Sequence, residues 1–83
     1  MEELEAKWLA NARMNVKLAA QIRGMPLSQV AVKAGLSRNA ISQFVSGRTS
    51  LSYVNMLKVC AVLSTSIATM HLKDAVTPSA LGA

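Results

Sequence analysis

Gly24, Gly35 and Gly47 each close a run of good helix formers, and this punctuation limits the fold more than any other feature of the 83-residue sequence. Glycine reaches the left-handed backbone that ends a helix without steric cost. The first run, Glu2 to Arg23, is rich in Ala, Leu, Met, Lys and Gln. Leu4, Trp8 and Ala12 fall at four-residue steps, as do Leu18 and Ile22, which is the pattern of an amphipathic helix. Glu2, Glu3 and Glu5 suit the positive end of its dipole, Asn11 and Asn15 are candidate breaks, and Gly24-Met25-Pro26 stops it. A second short helix is expected over Gln29 to Ala34, capped by Ser28 and ended by Gly35. A third is expected over Arg38 to Ser46, capped by Ser37 and closed by Gly47, and a fourth over Tyr53 to Leu63, capped by Ser52. In the fourth, Tyr53, Met56, Leu57, Cys60 and Leu63 keep the i, i+3, i+4, i+7 spacing of an inward face. A last short helix from Ser66 to about Leu72 turns Ile67 and Met70 inward, and the end from Thr77 to Ala83 is expected to fray. No β-branched or aromatic residues alternate over a useful length, so the fold class is all-α with five helices.

A chain of this length holds one small core, and hydrophobic residues at 52% can fill it without staples. Cys60 is the only cysteine, which rules out an intrachain disulfide and suits a reducing cytosol. Its apolar setting, Val59-Cys60-Ala61-Val62-Leu63, is that of a buried core thiol. The start Met1-Glu2-Glu3 is acidic where a secretory signal is basic. The longest unbroken apolar run, Val59 to Leu63, is far short of the ~20 residues of a membrane span. A cytoplasmic protein is expected.

Charge is distributed unevenly. The acids are Glu2, Glu3, Glu5 and Asp74, whereas all nine Lys and Arg lie between Lys7 and Lys73. Ordinary soluble surfaces mix both signs. A cationic body without acids points to a polyanionic partner, nucleic acid first and an acidic membrane second. The acidic start of the N-terminal helix and its few lysines argue against a membrane-surface role.

The stretch from Leu27 to Val45, LSQVAVKAGLSRNAISQFV, joins two helices of about two turns each through Gly35-Leu36-Ser37. Ala31 is small enough for the two helices to cross closely. Gly35 supplies a turn that a Cβ is expected to obstruct, and Leu36 plugs that turn into the core. Val30, Ala34, Ile41 and Phe44 form the inner face, leaving Arg38, Asn39, Ser42 and Gln43 outside. Arginine pairs bidentately with guanine, and asparagine or glutamine with adenine. A basic-to-neutral polar face without acids is one that a phosphate-lined groove tolerates.

These residues resemble the lambda-repressor-like family, the Cro and repressor-type helix-turn-helix domains. The resemblance covers about Leu18 to Met70 and rests on Ser28-Gln29, Ala31, Gly35, Leu36-Ser37, Ile41-Ser42 and Gly47-Arg48 at their joint spacing. The segments Ser52 to Leu63 and Ser64 to Ile67 look like the family's fourth and fifth helices. The resemblance implies a five-helix lambda-repressor-like domain over residues 18–72, after an N-terminal helical extension (1–17) and before a C-terminal tail (73–83). It implies a sequence-specific regulator of double-stranded DNA, a repressor of phage or bacterial origin, without cofactor or metal. Arg38, Asn39 and Gln43 then look like base readers. Gln29, Ser37 and Ser42 look like contacts to phosphate or to the first bases, and Arg48 and Thr49 like backbone clamps. Ser37 could equally be only a helix cap, and Gln29 only a solvated first-turn residue. Spacing assigns no role to Arg13 or Lys17, and Lys33 and Lys58 read as solvated.

The chain departs from the family at two places. Many members carry an acid where this chain has Val45, paired with an arginine that Arg23 resembles, so Arg23 lacks that partner and could face phosphate. Many also have a proline before the fourth helix, where this chain has Leu51, so a less rigid loop after Gly47 is expected. Small repressors of this type dimerise to cover two half-sites. Two apolar segments could serve a homodimer: Ile67, Met70 and Leu72 at the end, favoured by the family pattern, and Trp8 with Leu4 and Leu9 at the start.

Enzyme chemistry finds little support. Residues 6–73 hold no carboxylate, one histidine and one cysteine, too few for an acid-base pair, a triad or a structural zinc site. His71 reads as a helix-end or interface residue. The competing reading is an antitoxin or co-regulator of the same fold acting through a protein partner. Its sign would be exposed aromatics or leucines on the outer face of the third helix.

Overall fold

In a computed structural model describing residues 3–82, the first helix, α1, is continuous over Glu3–Ile22. Glu3 and Glu5 occupy its first turn, and Glu2 lies outside the described residues. Neither Asn11 nor Asn15 breaks the helix. The buried side is Ala12, Asn15, Val16, Ala19 and Ala20, whereas Leu4 and Trp8 are exposed and Leu18 and Ile22 only pack against the core. The four-residue stripe therefore leaves the core toward the N-terminus. Small side chains take the closest helix contacts, which a search for large apolar residues passes over. The division expected at residue 17 falls inside this one helix, whose buried face runs unbroken across it.

The remaining helices are α2 (Leu27–Lys33), α3 (Ala40–Val45), α4 (Tyr53–Leu63) and α5 (Ile67–Met70). Helix α4 has the expected bounds, and Ser52 Oγ accepts the Asn55 N–H at its start (3.1 Å). Its buried face is Met56, Val59, Cys60 and Leu63, while Tyr53 and Leu57 are exposed. Helix α2 starts earlier than expected and without a Ser28 cap. Pro26, with φ −61° and ψ 150°, precedes its first turn, and the Pro26 carbonyl accepts from the Gln29 and Val30 N–H groups. The Pro26 carbonyl thus takes N–H groups of the first turn without a hydroxyl. Helix α3 is also shorter than expected. The Ser37 carbonyl, not its hydroxyl, takes the Ala40 N–H (3.0 Å), so Arg38 and Asn39 lie on a turn leading into the helix.

Four helix ends share one geometry. At α2 the Gly35 N–H bonds to the Val32 carbonyl and the Leu36 N–H to the Ala31 carbonyl, the paired bonds of a Schellman end. The same pairs close α1 at Gly24 and Met25, α3 at Gly47 and Arg48, and α4 at Ser64 and Thr65. The left-handed residue is glycine in the first three and Ser64, at φ 55°, in α4. At Gly35 (φ 76°) an added Cβ would meet nothing within 4 Å. The requirement there is the backbone conformation itself, not the lack of space expected from sequence.

The core gathers around Phe44, Ile41, Leu63, Met70, Val16, Val30 and Val59, all fully buried. Val30, Ala31, Ala34, Ile41 and Phe44 point inward as expected, and Leu36 packs against them from the turn. Burying a side chain such as Phe44 stabilises by about 1.5–3 kcal/mol. Leu81 joins the same core from the segment expected to fray, as does Val76 just before it. Cys60 is 3% exposed, and burial raises its pKa above the ordinary thiol value. Among the described residues, no helix is long and apolar enough to cross a membrane.

Polar links between helices start from α1 and the turn that follows it, and end on backbone carbonyls. Asn15, 2% exposed, donates from Nδ2 to the carbonyls of Met70 (2.7 Å) and Leu72 (2.8 Å), and Asn11 Nδ2 to that of His71 (3.2 Å). Together they hold the end of α5. Arg23 Nε donates to the Leu63 carbonyl (3.1 Å) and Nη2 to that of Ser64 (3.4 Å). The end of a helix carries partial negative charge, so Arg23 has a partner without an acid.

Candidate nucleic-acid interface

The third helix presents two faces because its hydrophobic residues repeat at helical spacing. Ile41 and Phe44 are buried, and Asn39, Ser42, Gln43 and Ser46 are exposed. Ser46 continues the same outer face, a turn beyond Ser42, and belongs with the residues that sequence reasoning named. Gln29, Ser37, Arg38 and the pair Arg48 and Thr49 are exposed as well. Arg38 meets the start of α2 in a shallow depression of about 320 Å³ lined with Pro26, Ser28, Gln29 and Val32. The fold thus brings Gln29 and Arg38, on either side of the turn at Gly35, onto one surface.

The donor inventory of this surface is partly committed. Ser42 Oγ donates to the Asn39 carbonyl (3.0 Å) and Ser46 Oγ to the Gln43 carbonyl (2.9 Å). A phosphate oxygen only accepts, so Ser42 would have to release Asn39 before donating to one. The side chains of Gln29, Arg38, Asn39, Gln43 and Arg48 make no hydrogen bond within the described residues, so their donors face solvent. No aromatic or leucine stands exposed on the outer face of α3.

The cationic character survives folding. Arg13 and Arg23 turn onto backbone carbonyls, while Lys7, Lys17, Lys33, Arg38, Arg48, Lys58 and Lys73 are exposed. Lys7 pairs with Glu3 one turn away (3.4 Å), both well exposed. Arg13 was invisible to sequence reasoning as a partner of this surface. Its Nε donates to the Phe44 carbonyl (2.8 Å) and its Nη2 to the Thr49 carbonyl (3.3 Å). A bond to a carbonyl leaves no mark on residue type, so no signal in the sequence pointed to it.

The residues expected at a dimer contact divide. Trp8, Ile67 and Leu72 line one apolar groove of about 440 Å³ with Tyr53, Ala68 and His71. Trp8 is 50% exposed and Leu72 59%. Met70 is fully buried and cannot meet a partner at the surface, which corrects the expectation for it. A short helix has one inward face, and Met70 fills it. His71 Nδ1 lies 2.7 Å from the Ile67 carbonyl, one turn back. Among the described residues no group of three or more His, Cys, Asp or Glu could hold a metal.

Comparison with known families returns a model described as Helix-turn-helix, matching residues 16–69. No curated protein and no solved structure matches the chain.

Proposed function

The chain belongs to the lambda-repressor-like helix-turn-helix family, and from that premise we propose that it is a sequence-specific regulator of double-stranded DNA, acting as a repressor by covering a promoter. The observation that carries the reading is the exposed, acid-free surface formed by Gln29, Arg38, Asn39, Ser42 and Gln43. Arg38, Asn39 and Gln43 read base edges in the major groove, with Arg on guanine and Asn or Gln on adenine. Ser37 supplies a contact at the entrance to α3, and Arg48 and Thr49 hold the phosphate backbone beyond it. A phage or bacterial origin and a cytoplasmic setting, where Cys60 stays reduced, complete the reading.

One such surface covers too few base pairs to find a site in a genome. The proposed working unit is a homodimer, with two recognition helices about 34 Å apart on one face of the duplex. The apolar groove of Trp8, Ile67 and Leu72 is its contact, large aromatics being strong interface anchors. The alternative, an antitoxin or co-regulator working mainly through another protein, lacks the exposed apolar residues on α3 that it would need.

Selection from a random duplex library, followed by a salt titration on the enriched site, tests the reading. The expected result is one enriched motif whose affinity falls steeply with salt, by a slope of about −0.9 for each phosphate neutralised. Enrichment of no motif, or salt-insensitive binding, refutes it.

A further inference from the structure

We infer that Arg13 is a positioning residue, which sets the DNA-facing loop 47–51 against the end of α3 although it lies on α1, outside the proposed reading surface. The inference rests on the DNA-binding reading above. Arg13 is the one side chain among the described residues that bonds both to α3 and to the loop. Nε takes the Phe44 carbonyl at 2.8 Å, in the last turn of the helix, and Nη2 takes the Thr49 carbonyl at 3.3 Å. The guanidinium also stands 5.3 Å from the centre of the Phe44 ring.

The chemistry suits a strut. Phe44 is fully buried, so its ring and carbonyl form a fixed base. The loop is anchored at its far end by Leu51, which packs against the core, and is exposed in between. Arg48, Thr49 and Ser50 are exposed, and the loop's backbone is tied at Gly47 to the Phe44 carbonyl and at Arg48 to the Gln43 carbonyl. Between Arg48 and the packed Leu51, the Arg13 bond to Thr49 is the polar tie that the loop has to the rest of the fold. A planar guanidinium offers its N–H groups at fixed angles, so two carbonyls on one guanidinium are held in register with each other. A lysine ammonium at the same position offers a point charge without that geometry. Val45 lines the cleft beside Arg13, and no acid of the described residues is available there.

Arg13 therefore acts on DNA through Arg48 and Thr49 and touches neither base nor phosphate. The test uses Arg13→Met, Arg13→Lys, Arg48→Ala and the double variant Arg13→Met/Arg48→Ala. Binding to the selected duplex and to an unrelated duplex is measured across a salt series, alongside backbone amide exchange of the free protein. The expected result is a roughly tenfold loss for Arg13→Met on both duplexes, the size of one net hydrogen bond. With Arg48 already removed, Arg13→Met has little further effect, and the salt slope drops only once, by about 0.9. Arg13→Lys behaves like Arg13→Met. In the free protein, exchange at the Gly47 and Arg48 amides speeds up while the amides of α4 keep their protection.

Additive losses, with the slope falling a second time in the double variant, would make Arg13 a phosphate contact and overturn the inference. Full rescue by lysine, or unchanged affinity in a folded Arg13→Met protein, overturns it too. Failure of the wild-type protein to bind any duplex sinks the DNA-binding reading and the role on DNA with it. The exchange measurement still decides whether Arg13 holds the loop. If Arg13→Met fails to fold, Arg13→Lys carries both measurements.

Discussion

Replacing Asn15 with alanine removes the donor that holds the end of α5 onto α1. Asn15 is 2% exposed and bonds from Nδ2 to the Met70 carbonyl at 2.7 Å and the Leu72 carbonyl at 2.8 Å. A buried acceptor left without a partner costs about 1–3 kcal/mol. The Met70 bond is buried and takes the upper part of that range. The Leu72 bond is only partly buried, so water can replace it and the lower part applies. The sum is about 3–5 kcal/mol. At about 0.05–0.15 kcal/mol per residue, a chain of this size has roughly 4–12 kcal/mol in all. A domain of this size loses about 4–8 °C of Tm for each kcal/mol, so Asn15→Ala should melt at least ~10 °C lower. Thermal and urea unfolding followed by far-ultraviolet circular dichroism, at one protein concentration, give both numbers. Asn11→Ala breaks one longer bond, 3.2 Å to the His71 carbonyl, and should cost under about 1 kcal/mol. Asn15→Asp keeps the shape but turns carboxylate oxygens toward carbonyls, and should be worse than alanine. If Asn15→Ala unfolds no more easily than Asn11→Ala, the end of α5 is held by apolar packing, and the argument from carbonyl capture is wrong.

Ser64→Gly should stabilise by about 0.5–1 kcal/mol, because Ser64 holds φ 55° where α1, α2 and α3 use glycine; an unchanged urea midpoint counts against this. Gly35→Val and Gly35→Ala should both destabilise, valine more, by about 1–2 kcal/mol or above from backbone strain alone, since φ is 76° and no atom stands within 4 Å of an added Cβ. Equal melting of the alanine variant and the wild type would show that the turn tolerates another conformation. Arg38→Ala and Asn39→Ala should each cost about 1–3 kcal/mol on the selected duplex and relax base preference, while Arg48→Ala weakens every duplex alike. A change of preference in Arg48→Ala without one in Arg38→Ala reverses the assignment of readers and clamps.

The elements legible in the sequence are those where two independent signals agree. Helix α4 has a serine that can cap and a periodic apolar run behind it, and both its bounds stand where expected. Ser28 and Ser37 look like equally good caps, but neighbouring backbone groups start those helices instead. Residue type reveals a capable side chain, not whether a proline or a carbonyl has already done the work. Asn15 reads as a break because asparagine is a weak helix former. Its value to the fold lies in carbonyls far along the chain, which no local pattern encodes. Met70 had two expectations that exclude each other, inward packing and surface contact, and its full burial decides for the first. The exposed side of α3 was legible because an inner face of Val30, Ala34, Ile41 and Phe44 leaves only one side outside.

The shortage of acids explains how this fold holds itself together. Ion pairs between helices need partners that residues 6–73 do not contain. Donors on α1 and on the turn that follows it instead reach the negative ends of other helices: Arg13 at α3, Arg23 at α4, Asn11 and Asn15 at α5. Short bonds to partly buried carbonyls are little affected by salt, whereas exposed charges are screened within a Debye length of about 10 Å at 0.1 M. Repulsion among the exposed lysines and arginines opposes folding, and salt relieves it. The same salt replaces the counterion gain that binding to DNA provides. Salt therefore acts on the fold and on the DNA complex with opposite signs. A fall in affinity at high salt, in this chain, reports the phosphate contacts themselves and not a loss of folded protein.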